Sequence, residues 1–175
     1  MVEVVAAVVE KTTTIAEVEV NNRSKVLPTH LVRKNRREEM AATKEEVEQL
    51  LRRLFKGGLI GRIPKGRKDA EVFLALAAAR VDSQAYLTES EINEELKDWL
   101  EGMANPSDLD HVTVRRYLVD LGMVFRDAEG HSYRTNQAVI NRYIDVSART
   151  VAPTEILAEV ELARAQRRKV NRANG

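Results

Sequence analysis

Hydrophobic positions recur at helical spacing over most of this chain. Val47, Leu50, Leu51 and Leu54 form one apolar stripe. It is entered through Thr43-Lys44-Glu45-Glu46, in which the threonine oxygen can accept from the third helical amide while Glu46 reaches back. Gly57-Gly58 supplies left-handed conformations to end that helix. The next stretch, LIGRIPKGRK over residues 59–68, is rich in Gly and Pro and reads as a linker. Val72, Phe73, Leu76 and a run of alanines then predict a closely packed helix over 69–80, capped by Asp69. A second capping box, Thr88-Glu89-Ser90-Glu91, precedes Ile92, Leu96, Trp99 and Leu100, which predicts a helix over 88–101 with one wet, acidic face. In a third helix over 110–121, Val114, Tyr117, Leu118 and Leu121 turn inward and Val112, Arg116 and Val119 turn outward, until Gly122 stops it. MVFRD and HSYRT around AEG predict a hairpin across Val124 to Arg134. Pro153 opens a last helix with Ile156, Val160 and Ala163 on one stripe. The β-branched residues 1–20 read as two short strands joined by a threonine turn, with a helix from Val2 to Glu10 as the competing reading, and Pro28 breaks what precedes it.

Composition agrees with a helical chain. At 175 residues the length is that of about one domain. With 43% hydrophobic residues it is too apolar for wholesale disorder, and with eight Gly and four Pro it is too poor in turn residues for a many-stranded sheet. The expected fold is mainly α with a small β component. Residues 1–42 form an N-terminal extension with short strands, 43–62 a helix and basic linker, 63–136 a winged-helix-like domain of three helices plus hairpin, and 137–175 a C-terminal segment with a basic helix. The valine-rich start carries Glu3 and Glu10 without a basic leader, so neither a membrane span nor a secretory signal is expected. The absence of Cys excludes disulfides, thiol catalysis and zinc fingers, and suits the cytoplasm.

Net charge is near zero, with 28 Lys and Arg against 27 Asp and Glu, yet charge is segregated. Arg23 to Arg37 and Arg52 to Lys68 contain no acid, 82–110 is acidic, and Arg164 to Lys169 is basic again. Most apparent chemistry does not survive inspection. Gly61 to Lys68 has the spacing of a phosphate-binding loop, but Arg67 and Lys68 stand where lysine and a hydroxyl are needed, and Pro64 removes an amide donor. Asp110-His111, with His131 nearby, invites an acid/base or metal reading, but neighbours at a helix start are more often cap and first-turn residue, and no third ligand is apparent. No catalytic residue, metal or cofactor is expected.

These residues resemble a bacterial family known as domain of unknown function 2087, often found beside helix-turn-helix regulator domains. The resemblance covers about Ile63 to Arg134. It is carried by Thr88-Glu89-Ser90-Glu91-Ile92-Asn93, by Asp110-His111-Val112-Thr113-Val114-Arg115-Arg116-Tyr117-Leu118-Val119-Asp120, and by Arg126, Gly130 and Tyr133 in the hairpin. Tyr86 lies one residue further from Asn93 than the family's aromatic does, leaving Leu87 at the matching position. The resemblance implies a winged-helix-like domain in a regulatory setting, with no known ligand or reaction.

Three helices followed by a hairpin is also the order of a winged helix, whose third helix is placed to enter a major groove. On that reading Thr113, Arg116, Arg126 and Arg134 contact duplex DNA and Arg167, Arg168 and Lys169 track phosphates. Arg115 lies about 100° from Arg116 and braces Asp110 or an acidic residue of the preceding helix as a structural ion pair. The competing reading makes both arginines ion pairs and the acidic helix 88–101 a surface for a protein partner or a second copy of the chain.

Overall fold

Two threonines set where the first and third helices begin. In the computed structural model, which describes residues 41–173, α1 spans Lys44–Leu54 and α3 spans Glu89–Leu100, each entered through a complete capping box. The Thr43 amide donates to Glu46 at 2.9 Å and the Thr88 amide to Glu91 at 2.7 Å. Both helices hide the expected stripe: Val47, Leu50 and Leu51 in one, Ile92, Leu96, Trp99 and Leu100 in the other. α1 does not stop at its glycines directly. A 3-10 turn over Phe55–Gly57 follows it, burying Phe55, and Gly58 with φ 108° makes the exit.

α2 spans Arg67–Ala78 and corrects the expected cap. Gly66 occupies the N-cap with extended dihedrals, and Asp69 sits in the first turn. There its carboxylate suits the positive end of the helix dipole and accepts Arg53 of α1, both oxygens lying 3.0 Å from the guanidinium nitrogen. Every residue from Glu71 to Ala78 is buried. A helix buried all round must have neighbours on every side, and α2 packs on α1, on α4 (His111–Asp120) and on α5 (Gln137–Tyr143). Its alanines permit that crowding. Glu71, the one buried charge on α2, is held by Arg67 at 2.8 Å. Phe73 meets Trp99 with ring centres 5.2 Å apart.

α4 is capped by Asp110, whose carboxylate accepts the Thr113 amide at 2.6 Å. Val114 and Leu118 are fully buried, while Leu121 is half-buried against the same core. Two expectations fail here. Tyr117 is 47% exposed, because it stands at the edge of the stripe, where a phenol can keep its hydroxyl in water. Val119 packs against the core instead of facing solvent. Gly122, φ 68°, closes the helix with a Schellman pair: its amide donates to Val119 and that of Met123 to Leu118, both at 2.9 Å.

The hairpin forms as expected. β1 (Val124–Arg126) pairs antiparallel with β2 (Tyr133–Thr135), Phe125 opposite Arg134. A third segment joins it, since Leu87 and Tyr133 exchange both backbone hydrogen bonds at 2.8–2.9 Å. Leu87 is buried, and Tyr86 is 70% exposed. Gly130 adopts φ 78° with the Arg126 guanidinium against it, so a side chain there meets both backbone strain and a clash.

α5 has no counterpart among the expected elements, although Asn136 caps it by accepting the Val139 amide. A 3-10 turn over Ser147–Thr150 leads to α6, Pro153–Ala173, with Pro153 in its first turn. Ile156 and Leu157 are buried and Val160 half-buried against α1, and Arg52 pairs with Glu159 at 2.6 Å. The segment read as a linker is stitched in at Ile60, which is buried and bridges Met103 and Asn105 at 2.9 Å. The strands or helix expected in residues 1–20, the break at Pro28 and the basic run at Arg33 to Arg37 lie outside the described residues.

Leu118→Ala should destabilise the protein by about 2–5 kcal/mol in denaturant unfolding. A fragment holding only residues 59–135 strips α2 of α1 and α5. It should therefore bind a hydrophobic dye and lose a cooperative melt, which the full chain retains.

Candidate nucleic-acid interface

The start of α4 is held by its cap. Hydrogen bonding from Thr113 keeps the Asp110 carboxyl below its usual range, with smaller help from His111 and Arg116. His111, in the first turn, is lowered chiefly by burial and further by Lys97 and Arg115, against the pull of Asp110. Burial there favours the neutral imidazole over the charged one. Both residues border a cavity of about 460 Å³ between the end of α3 and the start of α4. Asp110 thus serves as a cap, and His131 donates its backbone amide to Asp127 at 2.7 Å to shape the hairpin turn. Among the described residues no group of three or more His, Asp or Glu side chains is arranged to hold a metal.

Arg115 and Arg116 part company. Arg115 is only 11% exposed. Its guanidinium donates to Asn93 at 2.6 Å, pairs with Glu89 at 2.9 Å and lies 5.5 Å from the centre of the Tyr133 ring. Of the two partners expected for it, the structure selects the acidic residue of α3, and Asp110 is taken by the cap. Glu89 and Asn93 are four residues apart on one face of α3, so both reach the same guanidinium. Arg116, one step round the helix, is exposed, with Thr113 half-buried beside it on the solvent side.

The hairpin continues this chain of contacts. The buried Tyr133 ring is flanked by Arg115 and, at 5.8 Å, by Arg126, and its hydroxyl donates to Glu89 at 3.4 Å. Arg134 donates to the Tyr86 hydroxyl at 3.0 Å. Arg126 and Arg134 are both exposed. The third group of expected contacts lies on α6, where Arg167, Arg168 and Lys169 are exposed along the last turns. On α3, Glu94 and Asp98 are exposed, while Glu95 accepts the Asp82 amide at 2.9 Å and so secures the loop into that helix.

Residues 59–135 match the model of a family described as an uncharacterized protein conserved in bacteria (DUF2087). The match runs from the Ile60 bridge through α2, α3 and α4 to the end of β2, less than half of the chain, and leaves out α1, α5 and α6. No curated protein and no solved structure matches the chain. No helix among the described residues is long and apolar enough to cross a membrane.

Arg115→Ala strands Asn93, Glu89 and the Tyr133 ring together, and should lower stability by about 1–3 kcal/mol. A double-mutant cycle with Glu89→Ala should show the two coupled. For Asp110 the sign follows from its lowered carboxyl. The charged cap's contribution is present above the unfolded value of about 3.9 and is lost as pH falls through the folded one. Asp110→Asn keeps an oxygen but not the charge. It should melt below the wild type at pH 6 and converge with it in strong acid.

Proposed function

We propose that this chain is a nucleic-acid-binding regulator of the cytoplasm, a binding protein rather than an enzyme. Its α2, α3, α4 and hairpin work as a winged-helix-like module on duplex DNA. The observation that carries this reading is the division between the two arginines of α4. Arg115 is consumed in bracing α3 and β2, so the helix is held rigidly while Arg116 and Thr113 face outward from it. A helix whose neighbour supplies the brace can present its outer cation without losing its own packing, which is what a groove-reading helix requires. Support also comes from Leu87, which turns the hairpin into a small sheet fixed against the helices, and from the basic end of α6, which adds sequence-independent phosphate contacts. Glu94 and Asp98 would face away from the phosphates, because acids there oppose counterion release.

The test is duplex binding by the full chain at several salt concentrations. Arg116→Ala should weaken binding several-fold without changing the melting temperature. Replacing Arg167, Arg168 and Lys169 by Gln should flatten the log–log salt dependence by about 0.9 for each phosphate that is no longer neutralised. If the protein binds no duplex even at low salt, the reading fails. A partner or second copy on the acidic face of α3 then becomes the surface to test.

A further inference from the structure

The hairpin register sets three side chains in a row on one face of the sheet. Phe125 stands opposite Arg134 across β1 and β2. Because Leu87 pairs antiparallel with Tyr133, the next position along sets Tyr86 against Arg134. Their neighbours in the strands, Val124, Tyr133, Thr135 and Leu87, are all buried. Alternation therefore leaves Phe125, Arg134 and Tyr86 on the opposite face. Both rings are in water, Phe125 51% and Tyr86 70% exposed. Between them the Arg134 guanidinium lies 5.2 Å from the Tyr86 ring centre. The three line a recess of about 220 Å³ whose wall also includes Arg126, Asp127 and Ser132.

A single exposed ring on a protein surface needs no explanation. Two rings with a cation between them, aligned by register and opening on one recess, offer flat π faces and a positive charge together. The ligand complementary to that set is flat, has π faces of its own and carries negative charge along a backbone. In a duplex the faces of each base are covered by its neighbours, so only an unpaired base can use such rings. We propose that the Phe125–Arg134–Tyr86 row binds unpaired bases of a single-stranded nucleic acid, the rings stacking on base faces and Arg134 meeting the backbone between them. Phe125 and Tyr86 stand two strand spacings apart, about 10 Å, which leaves room for successive unstacked bases. The site rests on the nucleic-acid reading of the hairpin through Arg134 alone and does not involve Arg116 or α6.

The experiment measures fluorescence anisotropy of a labelled oligothymidine, and separately of a labelled duplex of equal length, with the full-length protein. Tyr86→Ala and Phe125→Ala should each weaken oligothymidine binding about 5- to 150-fold. Duplex binding should change by less than about twofold, and melting temperatures should stay at the wild-type value, since both side chains are exposed. Tyr86→Phe keeps the ring and should keep the binding. Ultraviolet crosslinking of the oligothymidine should map to Phe125 or Tyr86. Arg116→Ala should show the reverse pattern, weakening the duplex and sparing the single strand. Alanine variants that bind oligothymidine as the wild type does overturn the proposal, and so does a wild type that binds none. A protein that holds oligothymidine through the two rings but binds no duplex supports the stacking row while refuting the major-groove reading of α4.

Discussion

The burial of α2 on all sides is the constraint from which the rest of the architecture follows. Eight successive side chains from Glu71 to Ala78 are out of water, and an isolated three-helix unit has no means of covering them all. α4 covers one side, while α1 and α5 cover others. α1 and α5 both lie outside the matched residues 59–135, and α6 packs in turn on α1. Those elements complete a core that the matched segment starts. The alanines at 75, 77 and 78 let the covering helices approach closely, and the single acid among these side chains is neutralised within its own helix by Arg67.

On that frame a second interaction orients the surface. The Arg115 guanidinium joins α4 to α3 through Asn93 and Glu89, and to β2 through the face of Tyr133. Tyr133 in turn exchanges backbone hydrogen bonds with Leu87. α4, α3 and the sheet are thus locked by one largely buried cation, and the outward residues of each acquire a fixed relation. A partly buried guanidinium carries a large desolvation penalty, and here it is met by an acid, an amide oxygen and a π face together. The contact is therefore a stronger determinant of geometry than the exposed pairs Arg52–Glu159 and Arg53–Asp69, whose charges remain largely hydrated.

The acidic and basic segments are used differently from what their sequence blocks suggest. Part of the acidic block is structural: Glu89 serves Arg115, Glu91 and Asp110 serve helix starts, and Glu95 holds the preceding loop. Part of the basic stretch 52–68 is structural as well, through Arg52, Arg53 and Arg67. Other cations stay exposed, among them Lys56, Arg62, Lys65 and Lys68 of the same stretch and Arg116, Arg126, Arg134 and the end of α6 beyond it.

Local signals in the sequence were enough for what local physics governs. Both capping boxes, the Asp110 cap, the Gly122 stop, the apolar stripes and the hairpin arise from hydrogen bonds and spacings that close within a few residues, so they can be read without the fold. Asn136 was a cap of the same kind, followed by Val139, Ile140 and Tyr143 at helical intervals, and α5 was legible in principle. The start of α2 was not, because Asp69 is recruited by Arg53 from another helix while Gly66 takes the cap. Arg115 offered two partners in sequence, and only the packing of α3 on α4 brought Glu89 and Asn93 to it. The row of Phe125, Arg134 and Tyr86 was likewise decided by tertiary structure. Tyr86 lies far along the chain from the hairpin, and its place beside Arg134 depends on Leu87 pairing with Tyr133, a long-range register that no local spacing contains.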